Sequence, residues 1–145
     1  MLVALAAGIF YFIDSAQYRE SPAYLAERYL EELERQYAED TYGGATPEET
    51  LALFTAALEQ GDPALAAKYF AVDRQQQWRE KLADVAEQGA LDDLAATLKK
   101  PAVKYPLIKG AEDRYMYEIF NDGKALVLQI DIAKGPGERW KLLDL

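Results

Sequence analysis

Asp131 and Gln129 alternate with Val127 in KALVLQIDIAK, the strongest strand pattern in this chain. A carboxylate held beside a phenol in an apolar pocket can move protons, because burial raises the acid's pKa toward neutrality. Ten tyrosines are available to supply the phenol, with Tyr69, Tyr105, Tyr115 and Tyr117 as the candidates. The plainer reading is preferred. Alternation on a half-exposed antiparallel strand turns residues such as Gln129 and Asp131 outward with no chemistry attached. The tyrosines equally suit a small-molecule pocket, a packed core or a wet interface, since each joins a large ring to a polar tip. Trp78 and Trp140 read as core.

The residue types that are missing narrow the chemistry further. The 145 residues include no cysteine and no histidine. That removes thiolate ligands, cysteine nucleophiles, the commonest general base and the commonest transition-metal ligand. Glu48-Glu49 and Asp92-Asp93 sit where helices start, a placement the helix dipole favours without any metal. No glycine-rich phosphate loop, nucleophile elbow or metal-spaced cluster is present. No cofactor and no metal is expected, and an enzyme is the minor reading.

Net charge is −9, carried by the first two thirds of the chain. Residues 14–45 sum to −5 and residues 46–100 to −4, while 101–145 balance. Such a chain repels phosphate backbones, so nucleic acid is not an expected partner. Anionic lipid headgroups are repelled as well, so any membrane contact must be apolar.

The clearest local signals lie in TPEETLALFTAALEQGDPALAAKYF, residues 46–70. Thr46 caps a helix, Pro47 suits its first turn, and Glu49 completes a Thr-x-x-Glu box. Leu51, Phe54, Ala57 and Leu58 share a face. Gly61 ends that helix, and Asp62-Pro63 opens the next. Ahead of this unit, SPAYLAERYLEELERQYAED predicts an amphipathic helix from Ser21 and Pro22, with a Leu25, Tyr29, Leu33, Tyr37 stripe and a Glu31–Arg35 pair. Gly43 and Gly44 read as a hinge. Beyond Phe70, Asp73 is expected to cap a helix bearing Trp78, Leu82 and Val85, and a shorter one carries Leu91, Leu94 and Leu98.

From Ala102 the period changes to two. VKYPLIK predicts an edge strand, since Pro106 cannot donate to a central ladder. RYMYEIF, KALVLQIDIAK and RWKLLDL follow, with Asn121-Asp122-Gly123 as a tight hairpin turn. In the long strand Leu126, Leu128, Ile130 and Ile132 are expected on one face. The fold class is therefore α+β: N-terminal helices packed on a curved C-terminal antiparallel sheet of three to four strands, preceded by an apolar helix and an amphipathic stalk helix. Residues 1–13 form the apolar segment, 14–45 an acidic stalk with its glycine hinge, and 46–145 the α+β domain.

Leu2–Ile13 is an unbroken apolar run, LVALAAGIFYFI. Twelve helical residues rise about 18 Å, short of the roughly 30 Å hydrocarbon core. No basic residue precedes the run and no small-x-small site follows, so a cleaved signal fits poorly. The expected reading is a membrane anchor whose upstream part lies outside this sequence, with Phe10, Tyr11 and Phe12 at the interface. The acidic residues 14–45 then face away from the cytoplasm. A docked core helix is the alternative.

Residues 46–145, with the capped entry helix, the Gly61-Asp62 turn and a meander ending in ERWKLLDL, resemble the nuclear-transport-factor-two-like (cystatin-like) superfamily. Trp140, Lys141 and Leu142 match the Trp-Lys-hydrophobic strand with which many members finish. More narrowly, the chain is similar to small membrane-anchored bacterial proteins of unknown function. The resemblance implies a cone of helix and curved sheet, with Tyr69, Tyr105, Tyr115 or Tyr117 near Gln129 and Asp131 at its mouth. Enzymes of the superfamily use a polar dyad there, and a His–Asp pair is impossible in this chain.

The expected function is a non-enzymatic, membrane-tethered extracytoplasmic association domain, with the membrane and a second copy of itself as partners. A small-molecule carrier or sensor is the alternative, and requires a hollow cone. A histidine-free isomerase or hydratase on Asp131 and a tyrosine is the lower one.

Overall fold

The structure is a computed structural model that describes residues 21–145. The expected anchor at residues 1–13 and the first part of the 14–45 segment lie outside the described residues. Five α-helices and a four-stranded antiparallel sheet make up the described chain, an α+β fold. It divides into two compact units, one ending at Gln36 and one spanning Tyr37–Leu145.

The first unit holds most of helix α1 (Pro22–Glu39). Ser21 caps it, its Oγ accepting from the Tyr24 N–H at 3.2 Å. Leu25, Tyr29 and Leu30 are each more than half exposed. The expected Glu31–Arg35 pair is not the one formed. Arg35 grips Glu32 one turn earlier through Nε–Oε2 (3.1 Å) and Nη2–Oε1 (2.7 Å), and Gln36 bonds the same carboxylate. A two-pronged pair at three-residue spacing outcompetes the four-apart contact here.

In the second unit, helix α2 (Pro47–Glu59) starts as its sequence dictates. Thr46 Oγ1 accepts from the Glu49 N–H at 3.1 Å, and the Glu49 carboxylate reaches back to the Ala45 N–H at 2.7 Å. At its other end Gly61 takes φ +68°, and the bonds Gly61 N–Leu58 O and Asp62 N–Ala57 O satisfy carbonyls that the helix leaves open. Asp62 then caps α3 (Pro63–Ala67) by accepting from the Leu65 N–H at 2.9 Å. A single 3₁₀ turn, Val72–Arg74, leads into α4 (Gln75–Glu87), and α5 (Leu91–Leu98) follows. Asp73 lies inside that turn and caps nothing; α4 begins without any side-chain cap.

The sheet is a meander of β1 (Ala102–Pro106), β2 (Arg114–Phe120), β3 (Leu126–Lys134) and β4 (Trp140–Asp144), in that spatial order. β1 stops at Pro106, earlier than the VKYPLIK pattern suggests. The β2–β3 turn is wider than a two-residue hairpin. Asn121 closes it through its own N–H to Ala125 O and through its side chain to the Ala125 N–H, both at 2.9 Å, and Lys124 rather than Gly123 takes the positive φ. The register shifts there, so Phe120 opposes Leu126 while Ile119 opposes Leu128. Leu126 is 48% exposed in consequence and leaves the inward set expected of it.

The core forms where α2 packs on β4 and α5, and α3 on α4. Phe70 stands at its centre, edge-on to Phe54 (5.5 Å) and stacked on Trp78 (4.3 Å). Leu58, Leu82, Ile119, Ile130, Ile132 and Leu142 complete it with no more than 1% exposure each. The space between helices and sheet is therefore filled by side chains.

β4 is covered along its outer edge. Leu142 N donates to Tyr69 O, Ala71 N to Leu142 O and Trp140 N to Gly44 O, all at 2.8–3.0 Å. The expected glycine hinge is pinned by the same contacts. A Cβ on Gly43, at φ +114°, would lie 2.5 Å from the Trp140 carbonyl, and the Gly44 N–H donates to Thr50 Oγ1 at 2.8 Å. Glycine serves close approach here, not freedom. The compact unit thus starts at Tyr37 and takes in residues that the sequence pattern assigns to the stalk.

Candidate functional site

Opposed residues of an antiparallel pair share a face, so the register sorts the candidates. Tyr115 and Tyr117 oppose Ile132 and Ile130 and face the helices. Met116 opposes Asp131, Glu118 opposes Gln129, and Tyr105 opposes Met116, which puts Tyr105, Gln129 and Asp131 on the outer face. Tyr69 is elsewhere, buried edge-on to Tyr42 at 5.9 Å beside the covered edge of β4. The six residues are therefore not gathered in one place.

Among the described residues no phenol bonds the Asp131 carboxylate. Arg114 holds its carboxylate with two bonds, Nε to Oδ1 at 3.0 Å and Nη2 to Oδ2 at 2.5 Å. Gln129 contacts Met116, and Tyr105 hydrogen-bonds Glu118. An open depression of about 450 Å³ runs over this outer face past Met116, Val127, Gln129 and Asp131.

A carboxylate–phenol pair does form on the inner side, between residues that no local pattern connects. The Tyr117 hydroxyl donates to Glu48 Oε1 at 2.7 Å, and Lys104 Nζ donates to the same oxygen at 2.6 Å. Helix α2 supplies Glu48 in its first turn, β2 supplies Tyr117, and Lys104 opposes Tyr117 from β1. The Lys104 ammonium also lies 4.2 Å from the centre of the Tyr115 ring, a cation–π contact. In the sequence Glu48 reads only as a helix-start carboxylate, and Lys104 belongs to no motif. The available signal was parity: Lys104 alternates with Val103 and Tyr105 and so falls on the same side of the sheet as Tyr117.

Beside this triad lies a groove of about 390 Å³, lined by Leu51, Ala52, Thr55, Leu98, Ala102 and Tyr117. The Lys104–Glu48 pair stands at one rim, and a Lys99–Glu59 pair stands at the other. Its floor is apolar and its ends carry both signs of charge.

The triad is not tuned for proton transfer. Burial alone would raise Glu48, but the hydrogen bonds from Lys104 and Tyr117 outweigh it and hold the carboxyl below its usual range. Burial, then the Glu48 hydrogen bond, pushes the Tyr117 phenol well above a free tyrosine. A general acid or base works best with a pKa near the operating pH, and these two are driven apart from it. The arrangement is a lock joining α2 to β1 and β2.

A raised folded-state pKa means the stability contribution is whole below the unfolded tyrosine value and is lost as pH rises above it. Wild-type stability should therefore fall above about pH 10, and less steeply in Tyr117→Phe. Urea unfolding at pH 8 and near pH 11 checks this; equal slopes for both proteins would contradict it.

No family model, no curated protein and no solved structure matches this chain.

Proposed function

We propose that this chain is a non-enzymatic, membrane-tethered domain facing outside the cytoplasm, with a nuclear-transport-factor-two-like cone, and that it works by association with a second copy. The observation that carries the reading is the division between a filled interior and an open outer sheet face. Phe54, Phe70 and Trp78 occupy the space where a carrier would need its cavity. On the other side of the sheet Val103 (55%), Phe120 (38%), Leu126 and Val127 are exposed around one end of β1–β3. Apolar residues grouped on an uncovered sheet favour a contact surface, and an isologous dimer lets one patch cover its own copy.

The tether in this reading is Leu2–Ile13, followed by the acidic residues 14–36 as a stalk. Among the described residues no helix is long and apolar enough to cross a membrane. Two experiments test the reading separately. After membrane pelleting and carbonate washing the full chain should remain in the pellet; recovery in the supernatant would refute the tether. Energy transfer between labelled copies in neutral detergent should be abolished by Leu126→Asp, and transfer unchanged by that substitution would refute the outer-face contact.

A further inference from the structure

The two edges of the sheet are treated differently. The outer backbone groups of β4 are taken by Gly44, Tyr69 and Ala71. β1 is the opposite edge, and no other described segment bonds to its free side. The Leu107 N–H donates to Arg114 O at 3.3 Å, which sets the alternation. Val103, Tyr105 and Leu107 turn their backbone groups to β2; Ala102, Lys104 and Pro106 turn theirs outward. The open N–H groups of Ala102 and Lys104 therefore stand directly beside the groove that Ala102 helps to line.

Charge singles out the same edge. In a chain of net charge −9, residues 94–111 contain four lysines (Lys99, Lys100, Lys104 and Lys109) and no acid. Lys99 and Lys104 are held by Glu59 and Glu48, while Lys100 and Lys109 have no ion pair among the described residues. Pairing of this edge with a second copy centred on Lys104 would set like charges opposite each other, which is destabilising. An acidic partner meets no such penalty.

We propose that the β1 edge and its groove bind an extended acidic peptide segment of another protein. The segment adds as a fifth strand, its backbone bonding Ala102 and Lys104. One bulky apolar side chain enters the groove between Leu51, Leu98 and Ala102, and its carboxylates face Lys100 and Lys109. Strand addition of this kind takes affinity from the main chain and specificity from pockets for alternate side chains. Pro106, which has no N–H, limits the length of the added strand. The surface uses the free backbone edge and inner groove of β1, whereas self-association uses the outer face on which Val103 of the same strand lies, and it does not depend on that association.

The test is selection from a displayed library of randomised short peptides on the full chain in neutral detergent. Enriched peptides should be acidic with one bulky apolar residue. On binding they should slow amide exchange at Ala102 and Lys104. Ala102→Pro removes one outward donor, and Ala52→Gln, on the exposed face of α2, obstructs the groove without adding charge or touching the core. Each should weaken binding roughly tenfold or more, the equivalent of one good hydrogen bond or contact. The double change Lys100→Glu with Lys109→Glu should do the same. No enrichment, enrichment without acidic character, or unchanged exchange at Ala102 and Lys104 would overturn the proposal. So would a face that instead binds phosphatidylglycerol vesicles equally well with and without Ala102→Pro, which would assign it to a lipid surface.

Discussion

Replacing Lys141 with Met should lower the folding stability of this chain by about 3–5 kcal/mol, the usual cost of stripping one partner from a buried ion pair. Lys141 is 3% exposed. Its ammonium donates to Asp40 Oδ2 at 2.8 Å and to the Lys68 carbonyl at 3.1 Å. Burial pushes its pKa down, and the hydrogen bond to Asp40 offsets that in part. Asp40 is fully engaged in return: Gln75 Nε2 donates to Oδ2 at 2.8 Å and the Tyr42 N–H to Oδ1 at 2.7 Å. With Met at position 141 a carboxylate stays buried with only neutral donors, and that loss is the expected source of the effect. Asp40→Asn added to Lys141→Met should recover part of the stability, since no uncompensated charge then remains. Urea unfolding of the wild type, Lys141→Met, Asp40→Asn and the double variant reads the coupling directly. Strictly additive losses would mean that the pair does not act as a unit.

The second large effect is expected at Phe70. Phe70→Ala removes the ring stacked on Trp78 and met edge-on by Phe54, at a site with no exposure. Large-to-small changes of this kind cost about 3–5 kcal/mol, part transfer and part cavity. Because Trp78 loses its stacking partner, its fluorescence and near-ultraviolet dichroism should change along with the unfolding midpoint. Phe70→Leu, closer in volume, should cost about 1–2 kcal/mol. A Phe70→Ala protein of wild-type stability would contradict a filled interior and reopen the carrier reading.

Local chemistry was legible in the sequence wherever a few neighbouring residues decide the outcome. Thr46 with Glu49, Gly61 and Asp62 each act within a helical turn, and each does what its type dictates. RYMYEIF matches β2 residue for residue, because alternation and flanking turn residues agree. Where two local solutions compete, sequence reading slipped. Asp73 yields to a 3₁₀ turn, Glu32 displaces Glu31, and Asn121 widens the hairpin.

The candidate site was less legible for a different reason. Glu48 meets Tyr117 across 69 residues and Asp40 meets Lys141 across 101, and no local pattern encodes such partners. Asp131 drew notice because alternation makes it visible, yet alternation also places it on the outer face, where Arg114 takes its carboxylate. The four lysines at residues 99–109 are plain in the sequence; their meaning depends on β1 being the uncovered edge, which only the strand order reveals.

The account rests on function residing at the surface of a filled domain, with copies meeting through the outer face of the sheet. Sedimentation equilibrium of the full chain in density-matched detergent, over a wide concentration range, tests it most directly. The predicted result is a mass that climbs from one chain to two as concentration rises, with Leu126→Asp held at one. A mass of one chain at every concentration would contradict it.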